Sequence, residues 1–176
     1  MSKLVVFAGL PGVGKTTLCK LLKEKIDCNF FDSDEYAMKS NHFKKETKEL
    51  SEHELNKRRM KFYNLKLNEV KKLMSKHKLI IMDAVFDKKK LREKFYKMIK
   101  EINGKLIIVK VVAPEKITKE RILKDKSKRR PGFTPESRLK VYKVMKKGWE
   151  PIKREHLVID TSKKLNPQLN ELLKIL

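Results

Sequence analysis

Nine consecutive residues carry the clearest chemistry in this chain: Gly9, Leu10, Pro11, Gly12, Val13, Gly14, Lys15, Thr16 and Thr17. They fit the spacing G-x-x-x-x-G-K-[ST], with Gly9, Gly14, Lys15 and Thr16 in the fixed positions. Glycines let a backbone wrap tightly enough for successive N–H groups to converge on one phosphate. The lysine brings a cation to the β- and γ-phosphates of a nucleotide such as ATP, and the Thr16 hydroxyl is a ligand for Mg²⁺. A helix that follows such a loop turns its positive N-terminal end on the same anion.

Two sets of carboxylates complete the reactive inventory. Asp32 and Asp34 flank Ser33 after the short apolar stretch Asn29–Phe31, and Asp83 closes the run Leu79-Ile80-Ile81-Met82. A hydrophobic strand ending in Asp is the pattern of a carboxylate that orders Mg²⁺, often through water. Asp32 and Asp34 are two residues apart, so an uninterrupted strand would point both the same way. Asp34 also suits a helix N-cap before Glu35-Tyr36.

These groups need a scaffold that gathers them. Lys3–Ala8 is a short apolar run of the kind that forms a buried strand, and Leu18, Leu21, Leu22 and Ile26 give the next segment a helical apolar face. Further strands are expected at Asn29–Phe31, Leu79–Met82, Lys105–Val112 and Leu157–Ile159. Between them, Met60, Tyr63, Leu67, Val70 and Met74 mark the core face of a long helix that starts near Ser51. Lys88–Asn103 is a helix stopped by Gly104, Pro114 fits the first turn of another, Thr134-Pro135 caps a further one, and Asn166-Pro167 opens the last. Residues 35–50 and 126–134 are the least regular. Five strands alternating with helices predict an α/β fold, a parallel sheet covered by helices on both faces. In such sheets ligands bind at the carboxyl ends of the strands, where the loop and the aspartates fall.

A length of 176 residues suits one domain, 1–176. No apolar run is long enough to span a membrane, and Met-Ser-Lys leads directly into the first strand, so no signal peptide is expected. Cys19 and Cys28 have no metal-ligand spacing and fit packing roles in a reduced, cytoplasmic setting. Lysine and arginine number 45 against 22 acids, a formal charge of +23. That charge attracts phosphorylated partners or polyanions, or else coats a solvated surface. Aromatic residues do not interleave with the basic runs, so no stacking platform for single strands is visible.

The motifs together resemble the AAA-type, ATP-binding P-loop kinases of the group that includes polynucleotide 5′-hydroxyl kinases, zeta-type toxins and archaeal seryl-tRNA kinases. The matching stretches are GLPGVGKTTL (Gly9–Leu18), FDSD (Phe31–Asp34), LIIMDAVF (Leu79–Phe86), VVAPEKITKERI (Val111–Ile122) and HLVIDTS (His156–Ser162). The resemblance implies a P-loop NTPase fold with a small basic lid at about 114–134. It implies that Asp34 is the general base for the acceptor hydroxyl, with Asp32 the alternative. It further implies that Asp83 lies near Mg²⁺ and that Arg121 approaches the nucleotide or the transferring phosphoryl. Arg129 or Arg130 stands in for a second lid arginine, since Lys124 and Asp125 occupy its usual place. An arginine that helps hold an acceptor phosphate is replaced by Ala37.

The leading expectation is transfer of the γ-phosphoryl of ATP to a hydroxyl. Lys15, Asp34, Arg121, Arg129 and Arg130 would be the catalytic set, residues 9–17 would hold the nucleotide, and Thr16 and Asp83 the metal. A nucleic-acid or nucleotide hydroxyl is the leading acceptor, and a small molecule or nucleoside the alternative: an RNA or DNA 5′ end or a tRNA suits the charge, whereas a nucleotide or other small molecule suits the short chain. A nucleotide-gated switch without an acceptor, and a basic binding module with a degenerate loop, are the competing classes.

Overall fold

Alternation along a single strand sets the architecture. In β1, Lys3–Ala8, the side chains of Leu4, Val6 and Ala8 enter one apolar cluster and those of Val5 and Phe7 another, because successive strand residues point to opposite faces. A strand apolar on both sides requires helices on both sides. The computed structural model describes residues 1–39, 52–125 and 134–176, and in it β1 is joined by β2 (Asn29–Asp32), β3 (Leu79–Ala84), β4 (Lys105–Val112) and β5 (Leu157–Asp160). All pairings are parallel, in the order β2-β3-β1-β4-β5. The expected five-stranded parallel sheet is therefore present, with β1 at its centre.

Seven helices accompany it among the described residues: α1 (Lys15–Lys25), α2 (Ser33–Lys39), α3 (Glu52–Lys76), α4 (Lys89–Glu101), α5 (Glu115–Lys124), α6 (Pro135–Lys147) and α7 (Leu165–Ile175). α3 and α4 cover one face through Tyr63, Val70, Met74, Leu91, Phe95 and Met98. α1 and α7 cover the other through Leu18, Leu22, Leu169 and Leu172, all fully buried. Each such leucine contributes roughly 1.5–3 kcal/mol of burial free energy. α3 also buries Lys66, whose ammonium lies 3.9 Å from the Tyr63 ring centroid and 4.8 Å from that of Phe62. The negative ring faces offset part of the desolvation that a buried cation suffers.

Several boundaries differ from expectation, each for a local reason. α4 is stopped by Asn103, not by Gly104: Asn103 takes the left-handed conformation (φ 50°), its N–H bonds Lys100 O, and the Gly104 N–H reaches back to Ile99 O at 2.9 Å. That is the Schellman pattern, in which Asn is the second choice after Gly. Gly104 serves close approach instead, since a Cβ there would sit 3.0 Å from Met74 Cε. Pro114 is the N-cap of α5 rather than a residue of its first turn. The stretch from Glu35 to Lys39, expected to be irregular, belongs to α2. Thr134 caps α6 as anticipated, its hydroxyl accepting from the Ser137 N–H at 3.2 Å.

No helix among the described residues is long and apolar enough to cross a membrane. Both cysteines are free. Cys19 is fully buried in the cluster beneath α1 and α7, and Cys28 packs at its margin. Burial pushes the Cys19 thiol far above its ordinary pKa; the charge of Asp83 adds to this and that of Lys15 opposes it. A thiol held neutral in this way is a packing group, not a nucleophile.

Candidate active site

The carboxyl ends of three adjacent strands bring the sequence-predicted residues together. Asp32 of β2 is the register partner of Asp83 of β3, and Asp83 is in turn the partner of Phe7 in β1. From β1 the chain runs straight into the glycine loop, whose Gly9 N–H donates to Ala84 O at 3.4 Å. Asp32, Asp83 and the loop therefore lie side by side along one edge of the sheet.

Within the loop, Gly12 (φ 81°) and Gly14 (φ 93°) are both left-handed, a conformation that L side chains rarely adopt. Gly14 is the N-cap of α1, which has no side-chain cap and no acidic residue in its first turn. Its N-terminal N–H groups and the positive end of its dipole are left to face an anion. Lys15 is 9% exposed; its ammonium donates to Leu10 O at 3.1 Å and lies 3.7 Å from Asp83 Oδ1. The Thr16 hydroxyl donates to Asp83 Oδ2 at 2.5 Å. Lys15 and Thr16 of the loop and Asp83 of β3, 67 residues away from Thr16, form one constellation.

The Asp32–Asp34 segment is arranged otherwise than a continuing strand would be. β2 ends at Asp32 and α2 begins at Ser33, so the two carboxylates do not project together. Asp32 Oδ1 accepts the backbone N–H groups of Asp34 (2.9 Å) and Glu35 (3.1 Å). Asp32, not Asp34, is thus the helix N-cap, and Asp34 stands in the first turn of α2. Ser33 between them is buried, and its hydroxyl has no hydrogen-bond partner among the described residues. Ala37, one turn along, is fully buried.

Arg121 is drawn against the loop from above. Its guanidinium donates to Thr161 Oγ1 at 2.7 Å and to Thr161 O at 3.0 Å. The Thr161 hydroxyl in turn donates to Val13 O at 2.7 Å. Next to Arg121, Ile122 packs on Gly12 so closely that a Cβ on the glycine would meet Ile122 Cγ1 at 2.6 Å. Sequence reasoning did not single out Thr161 or Ile122. The first stands just after β5, within a stretch that carries the family resemblance, and the second adjoins a named arginine. Arg129 and Arg130 lie outside the described residues, as does the basic run that contains them.

The fold and the loop together define a class, the P-loop NTPases with a five-stranded parallel sheet. Comparison with known families narrows this: residues 4–150 match the model of a family described as an AAA domain, and the chain belongs to that family. A search of curated proteins by sequence gives no match. Among solved structures, the chain is similar to a sugar kinase from Janibacter, at 16% identity and a TM-score of 0.71 over 99% of this chain and 94% of the other. It is also similar to the APS kinase of Mycobacterium tuberculosis in complex with AMPPNP and APS, at 17% identity and 0.69 over 99% and 96%. A gluconokinase from Sinorhizobium meliloti shares 16% identity with a TM-score of 0.64 over 98% and 90%. At these identities the likeness is one of fold.

Proposed function

We propose that the protein is an ATP-dependent kinase that transfers the γ-phosphoryl group to a hydroxyl of a small molecule. The observation that carries this is the meeting of Lys15, Thr16 and Asp83 at the end of β3, one strand away from Asp34. The neighbouring structures favour a small acceptor: they are a sugar kinase, an APS kinase and a gluconokinase, and one of them carries AMPPNP. A nucleic-acid end rests on the charge of +23 and on the narrower likeness to polynucleotide kinases, which has no support from these neighbours. The two free cysteines fit a cytoplasmic setting.

The donors suit Mg²⁺. A hydroxyl and a carboxylate are hard oxygen ligands, and Mg²⁺ is usually held by one or two protein oxygens together with substrate phosphates rather than by a protein cage. Thr16 and Asp83 would hold the ion, which neutralises charge on the phosphate oxygens when bound.

The chain's own groups do the rest. The loop N–H groups and α1 bind the phosphates, and Lys15 exchanges Leu10 O for a phosphate oxygen. Asp34 takes the proton of the acceptor hydroxyl as its oxygen bonds to the γ-phosphorus and the bond to the β,γ-bridging oxygen breaks. Arg121, steadied by Thr161, adds fixed positive charge beside the loop, and its planar fork suits that task better than lysine would. Positioning and charge neutralisation account for most of such catalysis.

The test is transfer of labelled γ-phosphate from ATP with Mg²⁺ to a panel of sugars, sugar acids, nucleosides, nucleotides and 5′-hydroxyl oligonucleotides, with Asp34→Asn alongside. Label on a small molecule that is lost in the variant supports the proposal. Label on an oligonucleotide only would replace the acceptor class. Free phosphate alone, undiminished by Asp34→Asn, would replace the kinase by a nucleotide switch.

A further inference from the structure

Arg92 is one of the largest fully enclosed side chains of the molecule, at 2% exposure, although it lies on a helix otherwise crowded with solvated lysines. Its guanidinium bridges two stretches far apart in sequence. Nη1 donates to Phe86 O and to Asp87 O, each at 2.9 Å, and Nη2 donates to Pro151 O at 2.8 Å. The first stretch begins three residues after Asp83. In it Phe86 holds a left-handed backbone (φ 59°) while fully buried, a conformation that bulky residues adopt only where their surroundings enforce it. Its ring stands edge-on to Phe95, the centroids 5.4 Å apart.

Other bonds stitch the same two stretches together. The Glu150 N–H donates to Asp87 O at 3.0 Å, the Lys89 N–H to Glu150 Oε2 at 2.5 Å, and the Lys88 ammonium to Gly148 O at 2.5 Å. Gly148–Pro151 directly follows α6. α6 is tied to α5 by Lys146 on Glu115 (2.5 Å) and Arg138 on Asp125 (2.8 Å). α5 reaches the phosphate loop through Ile122 on Gly12 and Arg121 on Thr161. From the Phe86 turn the chain leads back to Ala84 O, which accepts the Gly9 N–H. The contacts close a ring beside the site, and Arg92 is the buried one among the links between the segment after α6 and the turn that follows β3.

We infer that Arg92 is a positioning residue that ties the Phe86–Asp87 turn to the α5–α6 pair, so that nucleotide bound at the loop sets the acceptor side of the site. This rests on the kinase reading above for its purpose. A guanidinium suits the task because its rigid fork satisfies carbonyls on two segments at once. A residue that only filled the space would need no donors, and burying a cation for that alone would be costly.

The test is hydrogen exchange of the whole chain, with and without AMPPNP and Mg²⁺, in the wild type, Arg92→Lys, Arg92→Met and Glu150→Gln. Wild type is expected to gain protection at residues 9–17 and also at 84–89 and 148–150. In Arg92→Met the gain at 9–17 persists and the gain at 84–89 is lost. Arg92→Lys restores it in part, and Glu150→Gln, which weakens the link from the other side, reduces it. With an acceptor in hand, Arg92→Lys raises the acceptor KM by about tenfold while the KM for ATP stays within about twofold. Retention of the nucleotide response at 84–89 in Arg92→Met and Glu150→Gln would overturn the inference. If Arg92→Met does not fold, an unaltered response in both Arg92→Lys and Glu150→Gln does so. Failure of AMPPNP to protect 9–17 in the wild type is a different result: it removes nucleotide binding itself, and the coupling with it.

Discussion

The two halves of the site are built on different principles. The nucleotide side, from Gly9 to Thr17, is formed mainly by backbone: left-handed glycines, uncapped helix N–H groups and carbonyls that hold Lys15 and Thr161 in place. In the proposed site the acceptor side would be formed by side chains on separate elements, with Asp34 on α2 and the Arg92-bound turn after β3, while Phe31, Tyr36 and Phe62 form an aromatic group that joins β2, α2 and α3. Backbone geometry leaves little room for variation, whereas side chains on short helices can be exchanged without refolding the sheet. A common loop can therefore serve many acceptors, and the loop alone does not reveal which one.

The largest effect that would break this contrast is expected at Asp34. Asp34→Asn should lower kcat by about 10²- to 10⁴-fold, the range of general-base catalysis, with ATP affinity unchanged when titrated with a fluorescent nucleotide. Loss of ATP binding would mean that the two halves are not separable. Gly12→Ala is expected to strike the other half. Its positive φ and the 2.6 Å approach of Ile122 Cγ1 should cost about 1–3 kcal/mol, read as a fall in urea midpoint together with weaker nucleotide binding.

Thr161→Val sharpens the comparison at smaller scale. It removes one hydroxyl that joins Arg121 to Val13, a loss of about 1 kcal/mol in stability, and turnover should fall more than ATP affinity. The smallest effect concerns pH. Glu115 is held at a pKa of about 2, below its ordinary 4.5, by hydrogen bonds first from Lys119 and then from Lys146. A carboxylate with a depressed folded pKa stabilises above its unfolded pKa, and that contribution is lost as pH falls through the folded one. The α5–α6 contact should therefore weaken between about pH 4.5 and 2, and Glu115→Gln should flatten that limb of the acid-unfolding curve. Because the group is at the surface, the change will be small and will shrink with added salt.

Features written in a few neighbouring residues were legible beforehand. The loop, the strands and Asp83 were of this kind, since apolar runs and turn chemistry declare themselves locally. α2 was not, because SDEYAMK is too short to show a helical period. The switch from strand to helix at Ser33 also gives to Asp32 the cap that Asp34 alone was expected to suit. Thr161 and Arg92 escaped notice because their partners lie 148 and 59 residues away. In sequence Arg92 is one more charge on an amphipathic helix; only the passage of Gly148–Pro151 over it makes it a core residue.

The central position of β1 has a consequence for biosynthesis. This strand leaves the ribosome well before its two neighbours, β3 and β4, which end at Ala84 and Val112. At about 5–20 residues per second, roughly 5–20 s pass between the emergence of β1 and that of its second neighbour. During that interval Leu4, Val5, Val6 and Phe7, all fully buried in the finished protein, have no sheet to enter. The nascent chain thus exposes an apolar strand before its partners exist, and early capture by a chaperone would protect the loop that follows.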